Sequence, residues 1–201
     1  MTLTGVTFRG PAPSAAALLD TLPEAYAEVL RQLNGFIAFG GGLHVRGLCE
    51  APVWHSLEAA WRGEHALHYL FPVLRPDDIP FGEDCVGDQF ILREDAVHRL
   101  SAESGELKTL GLGFVDFLEQ AGARPVHFLM LRPLLNFQGE GRRLHPGELL
   151  DVYPPFVTAE SAQGVSLRAV PARERIAFLA DFARQMSDAA LGEVVRVCVP
   201  G

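Results

Sequence analysis

The residues in this chain best suited to chemistry are acids crowded into one short stretch. Glu83, Asp84 and Asp88 stand around Cys85 and Gly87, and Glu94 and Asp95 follow the apolar run Phe90-Ile91-Leu92. Carboxylates this close could bind Mg²⁺ or Ca²⁺, but they lack the regular ligand spacing of an EF-hand loop. Nor does a nucleophile stand beside them in a reactive setting. Cys85 is flanked by acids, which raise a thiol's pKa and keep it inert, and this disfavours a pairing of Cys85 with His98 across a hairpin. There is no Gly-x-Ser-x-Gly elbow. His65 and His68, with Glu64 beside them, would share a helical face, yet no further ligand sits at a zinc-site spacing. His68 also adjoins Tyr69-Leu70-Phe71, so packing is the stronger reading for it. Gly40-Gly41-Gly42 is not followed by Lys-Ser/Thr and so is no phosphate loop; it reads as a turn between strands. No catalytic residue, metal ligand or cofactor is assigned on these grounds. What remains is charge: Glu83, Asp84, Asp88, Glu94 and Asp95 read as one acidic end of a sheet, suited to a basic protein partner. The competing reading is that these acids only solvate turns.

The elements that must position the acids read as an antiparallel meander. An acidic, glycine-punctuated turn over Ile79–Gln89 runs into the strand Phe90–Leu92. Strands Ala96–Leu100 and Leu107–Leu110 follow, separated by the turn formers Glu94-Asp95 and Ser104-Gly105-Glu106. Upstream, Ser14 is placed to cap a helix from Ala15 to Leu19, and Pro23 opens a second one. Tyr26, Val29, Leu30 and Leu33 make its buried stripe, and Asn34-Gly35 ends it. Phe36–Phe39 and Leu43–Leu48 read as short strands, and Ser56–Gly63 as a short amphipathic helix. Trp54 is a candidate interface anchor, whereas Trp61 reads as core. Downstream, a helix around Val115, Phe117 and Leu118 stops near Gly122, and Pro125–Gln138 reads as two short helices broken at Pro133. Leu144–Phe156 reads as an ordered loop and Val165–Val170 as a strand. A long helix from Pro171 places Ile176, Leu179, Ala183 and Met186 on one face, and Val194–Val199 reads as a closing strand. The fold class is α+β: a mainly antiparallel sheet with helices packed around it. Residues 1–120 form the expected core domain, with 121–201 a helical extension packed on it.

The 201 residues, 48% of them hydrophobic, supply ample material for a packed core. A net charge of −8 argues against nucleic acid as partner, since phosphate neutralisation needs clustered Lys and Arg; Arg142-Arg143 is too small a spot. Cys49, Cys85 and Cys198 are scattered, which fits reduced thiols better than a disulfide framework. The opening residues Met1–Gly5 lack the pattern of a signal peptide, and no apolar run approaches the roughly 20 residues that span a bilayer. A cytoplasmic protein with no membrane contact is expected.

One family resemblance is carried by the order of several motifs. Leu22-Pro23-x-x-Tyr26 leads to Asn34-Gly35, then come Trp61, Ile79-Pro80-Phe81-Gly82, Gly87-Asp88 and Phe90-Ile91-Leu92. This succession, over roughly residues 15–120, resembles the SUKH superfamily, which contains yeast cell-wall assembly regulators and many bacterial immunity proteins. The resemblance implies an α+β fold with a binding surface and a role in neutralising a toxin by binding it, without catalysis. It also allows a regulatory scaffold subunit. A different class of reading is a small hydrolase or transferase using His98 or His145 with nearby acids, which would show a deep cleft of convergent polar groups.

Overall fold

Seven strands form one antiparallel sheet in simple chain order: β1 (Phe8–Arg9), β2 (Phe36–Ala38), β3 (Leu43–Val45), β4 (Ile79–Asp84), β5 (Gln89–Arg93), β6 (Ala96–Ser101) and β7 (Glu106–Leu112). The structure, a computed structural model, describes residues 4–14 and 16–188. Ala15, where the first expected helix begins, and the expected strand Val194–Val199 with Cys198 lie outside the described residues.

Of the stretch read as an acidic turn, Ile79–Asp84 is strand β4, buried along its whole length, and the turn is confined to residues 85–88. Pro80 has no N–H for a ladder, and the register between β4 and β5 shifts between Ile79 and Gly82 to pass it. Gly82 lets β3 come close, since a Cβ there would lie 2.6 Å from the His44 carbonyl oxygen.

Alternation along the central strands sorts side chains onto two faces. Phe90 and Leu92 join one core with Tyr26 and Leu30 of α2 (Glu24–Leu33), Trp61 of α3 (Leu57–Arg62), and Phe114 and Phe117 of α5 (Phe114–Ala123). Ile91 and Leu100 belong to a second core, covered by Leu67 of α4 (Leu67–Leu70) and by Ile176, Leu179 and Ala183 of α8 (Ala172–Asp188). α1 (Ala16–Leu19) is a single turn ahead of α2. At the end of α2, Asn34 takes the left-handed conformation and Gly35 has φ +80°, so both residues of the expected stop signal carry the turn.

The chain beyond residue 120 feeds both cores. α6 (Pro125–Phe128) and α7 (Arg132–Gly139) are two short helices, but their break falls at residues 129–131. Pro133 sits in the first turn of α7, where a missing N–H breaks no hydrogen bond. The expected loop over Leu144–Phe156 contains strand β8 (Glu148–Tyr153), paired antiparallel with β9 (Ser166–Pro171) over six residues. Leu150 and Val152 enter the first core, Leu149 the second, and the Leu150 N–H donates to the Cys85 carbonyl at 2.8 Å. No helix among the described residues is long and apolar enough to cross a membrane.

Candidate functional site

Sheet register brings the first acid against unexpected partners. His44 on β3 lies opposite Glu83 on β4, and Glu83 opposite Gln89 on β5, so three neighbouring strands present a polar row. Arg46, two residues along from His44, faces the same way. Glu83 is only 3% exposed. Its carboxylate accepts from Arg46 Nη2 at 2.7 Å and Gln89 Nε2 at 3.1 Å, and lies 2.9 Å from His44 Nδ1. Arg46 also donates to the Pro80 carbonyl and to Gln89 Oε1. Burial alone would raise the Glu83 pKa, but Arg46 and His44 outweigh it and hold the carboxyl at about 2.

The row continues inward. His44 Nε2 is 2.9 Å from His55 Nδ1, and His55 Nε2 is 2.9 Å from the Asn34 carbonyl oxygen. Burial pushes His44 down and His55 down to about 4. Three glycines make the niche for the His55 ring: a Cβ at Gly10, Gly35 or Gly47 would come within 2.7 Å of it. Asn34 clamps the same region, donating to the Pro11 and Leu48 carbonyls and accepting from the Leu48 N–H. The Tyr26 hydroxyl donates to the Arg46 carbonyl at 2.7 Å, and burial pushes its phenol up.

Asp84 and Asp88 are also turned inward, around the β4–β5 turn. Asp84 Oδ1 accepts the N–H groups of Val86, Gly87 and Asp88, while Oδ2 accepts from Arg99 Nη2 at 2.7 Å. Asp88 takes Arg99 Nε at 2.9 Å and the Ala102 N–H at 2.9 Å. Burial and the Asp88 carboxylate push Asp84 up to about 7, against the pull of those four donors. Glu94 and Asp95 are exposed, in the β5–β6 turn. That turn is at the far end of β5, with Glu94 about 20 Å from Asp88 at 3.3 Å per residue. The expected single acidic end is therefore two separate places, and Glu83 and Asp84 are interior residues. Around Glu94 and Asp95 the surface also carries Asp77 and Asp116, and none of the four makes an ion pair among the described residues. Arg93 beside them is committed to Asp78 at 2.7 Å.

The groups weighed for catalysis are not brought together. Cys85 is buried, which with Asp84 drives its thiol well up, while the His98 ring bonds the Ala96 carbonyl on its own strand. His65 is exposed, and the His68 ring leans on Tyr69 with centroids 4.0 Å apart and planes tilted by 48°. Among the described residues, no group of three or more His, Cys, Asp and Glu could hold a metal ion. His145 is exposed and borders a narrow recess with His44, Glu83, Asp84 and Glu148 that has room for about one water molecule. A wider open groove of about 560 Å³ runs along β8, β9 and the start of α8, past Tyr153, Ser166, Arg168 and Phe178. Trp61 is core, its indole donating to the Pro76 carbonyl at 3.0 Å. Half-buried Trp54 sets its ring edges against Phe8, His44 and His55.

Sequence reasoning missed His44, Arg46, His55 and Gln89 entirely. The available signal was polar residues at alternate positions in the short apolar strand Leu43–Leu48, which ask for buried partners. No family model, curated protein or solved structure matches this chain.

Proposed function

We propose that this protein is a non-enzymatic binding module, and most concretely an immunity-type protein that neutralises a basic toxin domain in the cytoplasm by occupying its surface. The observation that carries the reading is the division of acids. Glu83, Asp84 and Asp88 are consumed by internal partners, whereas Glu94, Asp95, Asp77 and Asp116 face solvent with no ion-pair partner among the described residues. An exposed face with four acids outside any ion pair among the described residues, and a nearby cation, Arg93, bound to Asp78, suits encounter with a basic partner.

The motifs behind the SUKH resemblance add support of a different kind. Tyr26, Asn34, Gly35, Trp61, Gly82 and Gly87 are all buried or in tight turns, where they hold the scaffold. A family sharing those residues shares a frame and is free to vary its surface. The hydrolase or transferase reading draws no support from His98, tied to its own strand, or from His145, which faces a space one water wide.

Co-expression with the product of the neighbouring gene tests the proposal. The two proteins are expected to co-purify, and cells making that product are expected to regain growth. No complex and no rescue would remove the immunity reading.

A further inference from the structure

Four groups stand in line through the interior: the Asn34 carbonyl, His55, His44 and the Glu83 carboxylate. The three contacts joining them all measure 2.9 Å. Each such contact needs one hydrogen between its heavy atoms. The two ends fix the count, because a carbonyl accepts only and an ionised carboxylate accepts only. Three contacts therefore require three N–H groups, all on the two imidazoles. Two neutral imidazoles carry two. Without a third hydrogen, one contact sets acceptor against acceptor, in an interior where screening is weak. No neighbour can donate instead. Arg46 Nη2 and Gln89 Nε2 are already spent on the other carboxylate oxygen of Glu83.

We propose that the His55–His44–Glu83 chain holds, at neutral pH, one proton beyond those of two neutral imidazoles, and that releasing it breaks one contact and loosens the Trp54–His55 turn from β3. The chain is a pH-sensitive latch inside the fold. Burial opposes the added charge and draws both rings below the ordinary 6.5, and Arg46, just past the end of β3, opposes it too; the three 2.9 Å contacts, each of which needs a hydrogen, weigh the other way. Favouring it are the Glu83 carboxylate on β4 and the Asn34 carbonyl at the end of α2; Asp84, Glu148 and His145 also line the recess. Tyr26 on α2 and Gln89 on β5 reach the network as neutral groups. The proton balance is simple: the hydrogen between two links leaves to solvent through the recess that His44 and Glu83 line. The first region to feel the loss is the Trp54 ring, which also lies where a Cβ on Gly147 would come within 2.8 Å of its indole nitrogen. Release is thereby felt by β1 and by the segment leading into β8.

Long-range ¹H–¹⁵N spectra of the labelled protein count the protons directly. At pH 7, three of the four ring nitrogens of His44 and His55 are expected to carry hydrogen. Titration to pH 10 is expected to remove one and to shift the Trp54 indole N–H signal with it. Glu83→Gln supplies an amide N–H for His44 while its carbonyl still accepts from Arg46 and Gln89, so the chain closes with two neutral rings. In that variant the titration is expected to vanish. Two protonated ring nitrogens at pH 7 in the folded wild type would overturn the proposal, as would a titration unchanged in Glu83→Gln. If the variant does not fold, the wild-type count decides alone.

Discussion

Glu83 shows how a charge that sequence reading places on the surface becomes part of the interior. A carboxylate in that stretch is visible from composition, but its partners His44 and Arg46 lie 39 and 37 residues away and are set by register alone. Removing it leaves the Arg46 guanidinium buried without its counter-ion. Glu83→Ala is therefore expected to cost about 3–5 kcal/mol in denaturant unfolding, as for other buried pairs broken on one side. The pH dependence follows from the depressed carboxyl. The folded form keeps Glu83 ionised down to about 2, while the unfolded chain takes up a proton near the ordinary 4.5. This stability is complete above about 4.5 and is lost as the pH falls towards 2. Asp84, pushed up to about 7, works in the opposite sense between its ordinary 3.8 and that value. Comparing wild type with Glu83→Ala over the acid range isolates the Glu83 part. A cost below about 1 kcal/mol, typical of an exposed pair, would mean the carboxylate is not engaged as described.

At the scale of elements, the signals that were legible are local ones. Pro23, the Tyr26–Leu33 stripe and Asn34-Gly35 specify α2 within a dozen residues, and the hairpin turns specify β5 to β7. β4 was hidden because Pro80, Gly82 and two adjacent acids have turn chemistry. Only strands on both sides, with Arg46 just past the end of one of them, make them strand residues. β8 was hidden because it lies between Pro146 and Pro154 and its strand partner begins at Ser166. The outer strand β7 makes a prediction of its own. It pairs only with β6 among the described residues, and carries Lys108, the chain's one lysine, 70% exposed along its side chain. A register shift opposite Val97 and His98, with Gly111 at φ +67°, bends the same strand. Both are known protections of an open edge. Lys108→Val is expected to produce concentration-dependent self-association in sedimentation velocity. A variant that stays as monodisperse as wild type would show that the edge is guarded by something else.

Among the described residues a seven-stranded sheet carries a core on each face, and the chain after residue 120, with the separate β8–β9 pair, feeds both. Leu134, Phe137, Leu150 and Val152 help fill the first core, and Ile176, Leu179 and Ala183 roof the second over Ile91 and Leu100. Truncation after residue 120 would uncover these apolar faces. The shortened chain is expected to bind a hydrophobic dye and to lose its cooperative melt; a sharp melt would mark residues 1–120 as an independent domain. The overall α+β class was readable because helical stripes and alternating strands announce themselves. Which acids stay outside was not, because exposure is a property of the assembled sheet. The central claim is that the solvent-facing acids at the β5–β6 turn make the contact with a basic partner. The direct test is calorimetric titration of the neighbouring gene's product into wild type and into Glu94→Lys/Asp95→Lys. Wild type is expected to bind with an affinity that weakens as salt rises, and the double variant to lose at least tenfold with an unchanged melt. Equal affinity for both proteins, insensitive to salt, would contradict that claim.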